Sequence, residues 1–334
     1  MLRVYTRETD HLVPHDIDLA NPADLEIPKL HSPWLDLFNP TPAEDRFVEQ
    51  VAGISIPTRE EMQEIEMSSR LYNENGAEFM TFTSLVHLDT AEPSTSPVTL
   101  ILKDTTLVTV RFAEPRPFLA FALRAQRPGV VACQTGEEIM LGLIEALIDR
   151  IADALERVGL KIEGVSRAVF HHESARGRAT KNNDFQRAIV DIGREGDLLS
   201  MVRESLVSLN RVLTYHAAVY ETDDGASRES RARVRTNLRD ITALTDHTSY
   251  LTTKINFMLD ATLGLINLEQ NQIIKIFSIA AVCLMPPTLV ASVYGMNFKH
   301  MPELEWEFGY PMTLVVMVIV ALLPVWYFRR RGWL

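Results

Sequence analysis

Four residues near the end of the chain, Tyr294-Gly295-Met296-Asn297, sit between two segments without a single charged residue, Ile276 to Phe298 and Phe308 to Phe328. Glycine at a helix end is suited to the left-handed conformation that terminates it, which turns Met296 and Asn297 outward. Backbone carbonyls and the Asn297 amide oxygen would then converge at one mouth. Neutral oxygen acceptors suit a hard divalent cation that sheds its water reluctantly, Mg2+ above all, whereas the thiolate and imidazole groups that soft metals prefer are absent from this stretch.

A second constellation leads up to that mouth. Asp260, Gly264, Asn267, Asn271, Ile274, Ser278, Ala281, Met285, Thr288 and Ser292 are spaced alternately four and three residues apart, so they share one face of a supercoiled helix. The face is mostly polar or small. Ser278, Thr288 and Ser292 alone fit close helix packing equally well, because their hydroxyls can bond to carbonyls one turn back. Asn267, Asn271 and Asp260 in the same phase favour a hydrated axis. One helix cannot enclose such an axis, so the reading requires a ring of identical subunits. A neighbouring apolar register, including Ile241, Leu251, Ile255, Met258 and Ile279, is the expected seam between copies.

The elements that position these residues follow from the flanks. Each uncharged run is long enough to cross about 30 Å of hydrocarbon as a helix. Lys275 precedes the first and Arg329, Arg330 and Arg331 follow the second, which predicts that both termini face the cytoplasm. The connector holds Glu303, Glu305 and Glu307, acids that would concentrate cations outside the mouth. Pro286, Pro287 and Pro324 are tolerable inside spans. From about Ala226 no proline or glycine-rich break precedes the membrane, so one helix reaches Tyr294, a rod of about 100 Å.

The rest of the 334 residues read as a large soluble portion. Mean hydropathy of +0.00 averages an acidic part against a hydrophobic tail. A net charge of −11 argues against a nucleic-acid partner. Cys133 and Cys283 are the only cysteines and make no thiolate metal site; no secretory signal or Walker A pattern occurs. Short alternating or β-branched runs at Trp34–Phe38, Glu78–Leu88, Val98–Lys103 and Leu107–Phe112 predict an α/β sandwich, with a hairpin at Asp104-Thr105 and a loop at Pro93 and Pro97. Thr41, and Thr58 with Glu61, open helices. From Glu137, Ile139, Leu143, Leu147, Ile151, Leu155 and Val158 mark a long amphipathic helix whose charged residues read as a solvated face. A further helix is expected from Asp184 to Val219, before Asp223-Asp224-Gly225. His171-His172-Glu173 is a cluster of the kind that binds a transition metal, but no third or fourth ligand at suitable spacing lies nearby.

Tyr294-Gly295-Met296-Asn297-Phe298, then Met301-Pro302-Glu303-Leu304, Phe308-Gly309-Tyr310-Pro311 and the arginine-rich end resemble the CorA family of magnesium channels. The resemblance is specific over 260–334 and architectural before it. It implies an α+β membrane protein: a homopentamer of the cell inner membrane with a cytosolic α/β sandwich funnel and a very long stalk helix continuing into the first of two C-terminal transmembrane helices. It implies no enzymatic activity. By that resemblance Gly295 and Asn297 bind hydrated ion, Thr288, Met285, Ile274 and Asn271 line the path, Phe277 stands at a hydrophobic constriction otherwise aliphatic in some members, and Asp260 matches an acidic layer. Thr236 stands where some members have a regulatory aspartate. The expected division is 1–130 α/β domain, 131–225 long helices, 226–275 stalk, 276–298 first span and mouth, 299–307 external loop, 308–328 second span and 329–334 basic tail. Passive influx of Mg2+, gated by cytosolic Mg2+ and shared by Co2+ or Ni2+, is the leading expectation; a zinc transporter of the same superfamily and a non-conducting membrane sensor are the alternatives.

Overall fold

The structure, a computed structural model, describes residues 1–29, 32–90, 92–131, 133–170, 178–222, 228–297, 301–302 and 306–333. The first strands are β1 (Leu2–Glu8), β2 (His11–Ile17) and β3 (Trp34–Phe38), followed by helices α1 (Pro42–Ala52), α2 (Arg59–Met62) and α3 (Met67–Arg70). Strands β4 (Leu71–Glu74), β5 (Ala77–Val86), β6 (Ser94–Lys103) and β7 (Thr106–Arg111) complete one sheet in the order β2-β1-β3-β7-β6-β5-β4. Among the described residues only β3 and β7 pair in parallel. Helices α4 (Arg116–Ala125), α5 (Gly136–Phe170), α6 (Arg178–Thr222), α7 (Arg228–Tyr294) and α8 (Gly309–Arg330) follow.

Strand alternation gives the sheet two faces. Leu2, Val4, Leu35, Leu37, Val108 and Val110 share one core with Val48 of α1 and Met62 of α2. On the other face Trp34 stacks on Tyr5 at 4.1 Å and meets Phe121 of α4 edge-on at 5.9 Å. That face also buries an ion pair: Arg111 donates to both Asp36 oxygens at 3.0 and 2.8 Å, and Thr109 Oγ1 donates to Asp36 at 2.7 Å. Helix α5 enters against the β6–β7 hairpin, where a Cβ on Gly136 would lie 2.3 Å from Leu107 N. The sandwich expectation holds, with the sheet between helical layers.

Local chemistry explains several boundaries. Thr41 and Glu44 form a reciprocal capping box at α1, and Glu44 also accepts from Leu2 N and the N-terminus, fastening the helix to β1. Thr58 and Glu61 form another, but α2 is only four residues long. Asp104 and Thr105 form the expected two-residue hairpin, with Asp104 at φ 51°. Pro97 lies within β6 rather than in a loop, opposite Thr83. It is tolerated because β7 pairs only with Val98–Lys103, leaving β6 at an edge there. Helix α6 begins at Arg178, earlier than its sequence pattern indicates.

The described chain forms two compact units, Met1–Gly177 with Gln186–Met258, and Arg178–Phe185 with Leu259–Leu334. Helices α7 and α8 are each long and apolar enough to cross a membrane. Apolar side chains such as Val315, Ile319, Leu322 and Leu323 stand exposed around α8, a surface that hydrocarbon solvates and water does not.

Candidate pore helix and mouth

Helix α7 passes through Pro286 and Pro287 without interruption and ends at Tyr294. Gly295 N still donates to Ala291 O at 2.9 Å, and Met296 N reaches Val293 O at 3.3 Å, so the last turn tightens and stops. Gly295 does not adopt the left-handed conformation expected from the sequence: the described positive-φ glycines are Gly53, Gly76, Gly129 and Gly332. A Cβ there would lie 3.1 Å from Ala291 O, the carbonyl one turn back that Gly295 N bonds. Met296 and Asn297 follow, both exposed.

The polar stripe is left uncovered by its own chain. Asp260, Asn271, Ile274, Phe277, Ser278, Ala281, Met285, Thr288 and Ser292 are all exposed, Phe277 by 72% and Met285 by 70%. Thr288 Oγ1 donates to Leu284 O at 2.8 Å, the back-bond that lets a hydroxyl sit cheaply in a span. The opposite side faces inward, with Ile279 buried and Cys283 and Val290 half-buried.

The apolar register has a different use from the one expected. Ile241, Leu251, Ile255 and Met258 are buried within the single chain. Leu251 lies beside Gly159 of α5 and Ile255 beside Gly196 of α6. Periodicity located this seam but could not distinguish an internal partner from a second copy.

The ends of the two apolar helices carry an aromatic and basic belt. Arg330 lies over Trp326 and Arg331 over Tyr327, while Lys275 Nζ is 5.4 Å from the Trp333 ring centroid. The start of the first span and the end of the second therefore meet at one level, as interfacial residues do. Among the connector acids, Glu307 is exposed, whereas Glu303 and Glu305 lie outside the described residues, as do His171-His172-Glu173 and Asp223-Asp224-Gly225. Among the described residues no group of three or more His, Cys, Asp or Glu side chains is placed to hold a metal. Thr236 is exposed.

The charged face of α5 is solvated in part, with Asp149, Asp153, Glu156, Glu163 and Arg167 exposed, while other charges on it are paired across the fold. Arg150 and Arg157, with Arg116 of α4, converge on Asp89 at 2.5, 2.9 and 2.5 Å. Arg150, with the other guanidiniums beside it, holds the Asp89 carboxyl below its ordinary range, so this acid is occupied by cations of the chain itself. Arg233 of α7 clasps Glu145, and Lys161 bonds Glu195 of α6 at 2.6 Å. These pairs span elements far apart in sequence, which helical spacing alone cannot predict.

Residues 31–330 match the family described as "CorA-like Mg2+ transporter protein". The chain belongs to the CorA family. It is 36% identical over 302 residues to the "Magnesium transport protein CorA" of Pasteurella multocida, covering 90% of this chain and 92% of that one. The Escherichia coli K12 protein of the same name is 32% identical over 336 residues, with full coverage of both chains. The CorA fold is reproduced in the complete structure of the CorA magnesium transporter from Methanocaldococcus jannaschii, with a TM-score of 0.76, 18% identity, and 100% and 99% coverage.

Proposed function

We propose that this CorA protein is a passive channel that admits Mg2+ through the cell inner membrane, as a homopentamer with both termini in the cytoplasm. The observation that carries the reading is the stripe from Asn271 to Ser292, which α7 presents uncovered and which ends at Gly295-Met296-Asn297. Five copies turned stripe-inward would surround a wet path. At the mouth Asn297 and the Gly295 and Met296 carbonyls bond to the waters of a hydrated ion, so Mg2+ need not surrender its inner shell. Phe277 forms the narrow apolar collar, and Glu303, Glu305 and Glu307 raise the local cation concentration. The magnesium-transport names of the full-length relatives support the choice of ion.

An inside-negative potential favours inward movement of a divalent ion by about 4.6 kcal/mol per 100 mV, so no nucleotide is consumed. Cytosolic Mg2+ bound between neighbouring subunits, with Asp260 as one acidic layer, holds the stalks together; its loss loosens them and opens the path. Co2+ and Ni2+ pass by the same hydrated route. The test is uptake into liposomes by purified protein, under an imposed potential, with Co2+, Ni2+ and Zn2+ as competitors. The expected result is potential-dependent Mg2+ uptake that Asn297→Ala deprives of selectivity while assembly is retained. Absence of Mg2+ uptake would overturn the channel reading in favour of a non-conducting sensor, and preference for Zn2+ would move the protein to the zinc-transporting branch.

A further inference from the structure

His216, in the C-terminal part of α6, is only 1% exposed yet stands between two carboxylates from other elements. Its Nδ1 is 2.8 Å from Glu78 Oε2 on β5, and its Nε2 is 3.9 Å from Glu137 Oε1 in the first turn of α5. Both nitrogens donate only in the imidazolium form. A neutral ring offers one N–H and turns a lone pair toward whichever carboxylate is left. Nδ1 is within hydrogen-bond distance of Glu78, while Nε2 faces Glu137 across a longer, purely electrostatic gap, so a proton on the ring serves one acid directly and the other at a distance.

The surroundings make that proton structural. Glu78 projects from the same sheet face as Met80 and Phe82, both fully buried, so α6 lies over the core at this point. Eight residues earlier on α6, Ser208 Oγ accepts from Thr83 N of the same strand at 3.0 Å. Glu137 is held in place because Gly136 lets α5 press against Leu107. Among the described residues Glu78 and Glu137 face the ring, and burial, with Glu78 nearby, raises the phenol pKa of Tyr215, which remains neutral.

We infer that His216 is a proton-operated clasp that fastens α6 to β5 and to the start of α5, closed when the imidazole carries its proton and released when it does not. Burial alone would push the imidazole down, but Glu137 and Glu78 outweigh it and the ring is held above its ordinary value. A group raised in the folded state stabilises fully below its unfolded value, about 6.5, and loses that contribution as pH climbs through the elevated folded value. The clasp thus opens toward alkaline pH. This inference is independent of ion conduction.

The full-length protein, purified in detergent, tests it by hydrogen–deuterium exchange corrected for the intrinsic pH dependence of amide exchange. Peptides spanning 205–219 and 77–86 are expected to lose protection several-fold between pH 6 and pH 9 in the wild type, and to show no such pH step in His216→Gln. Should His216→Gln fail to fold, Glu137→Gln keeps the imidazole but removes one acid, and its step moves to lower pH. Deuterium exchange at the His216 ring carbon, read by mass spectrometry, gives the titration directly and is expected above about 6.5. Titration at or below that value, or equal protection at both pH values in the wild type, overturns the clasp.

Discussion

Asp36→Asn isolates the energetics of the sheet core. Asp36 and Arg111 are 3% and 5% exposed, and the acid also accepts from Thr109, whose hydroxyl in turn accepts from Trp34 Nε1 at 3.0 Å. Asparagine preserves shape and one acceptor but sets an amide N–H2 against Arg111 and leaves the guanidinium without a counter-charge. Stacking of Arg111 over Phe38 at 4.6 Å and near Phe118 at 5.4 Å retains part of its stabilisation. Breaking one side of a buried pair costs roughly 3–5 kcal/mol. At about 2–4 °C per kcal/mol for a unit of this size, the melting temperature should fall by roughly 6–20 °C. The double variant Asp36→Leu/Arg111→Met removes both charges, so it should be milder than the single change, losing chiefly the Thr109 hydrogen bond, about 1 kcal/mol. Thermal unfolding followed by tryptophan fluorescence decides the matter. A single variant within about 1 kcal/mol of wild type, or a double variant worse than the single, would refute the reasoning.

Further outcomes follow from the packing. Gly136→Ala should destabilise more than Gly142→Ala in the same thermal assay: the first pushes a Cβ to 2.3 Å from Leu107 backbone, the second to 2.4 Å from the Phe121 ring, and a ring moves more readily. Thr41→Ala should lower stability by about 0.5–2 kcal/mol in chemical denaturation. Glu44→Ala should cost more than that, because Glu44 also receives Leu2 N and the N-terminus. Raising salt should leave the cap effect intact and weaken the Asp89 cluster, whose arginine partners include the exposed Arg116, so Arg116→Gln should matter less at high ionic strength.

What was legible in the sequence was what repeats along one element. The α5 pattern is readable because Ile139, Leu143, Leu147, Ile151, Leu155 and Val158 all point into one core. Strand β3 and the 104–105 turn were legible for the same local reason. Strands β1, β2 and β4 carry weaker alternation, although Asn75-Gly76, with both residues at positive φ, is a strong hairpin signal between β4 and β5. Gly295 is legible as the end of the helix, but it ends there by a tightened last turn rather than by a left-handed residue. Illegible were the meetings of distant elements: His216 with Glu78 and Glu137, Asp89 with its arginines, and Lys275 with Trp333, which depend on the completed fold. The stripe on α7 lay between these cases, its phase evident from spacing and its lack of an internal partner evident only from burial.

The direct test of the conducting stripe is the rate at which single cysteines along α7 react with a small water-soluble thiol reagent in reconstituted protein, with Cys133 and Cys283 replaced by alanine. Asn271→Cys, Ser278→Cys and Ser292→Cys are predicted to react readily under low cytosolic Mg2+, and Ile279→Cys, on the buried side of the same helix, to remain protected. Protection of the stripe cysteines, or equal reaction around the whole helix, would contradict a water-filled path along this face.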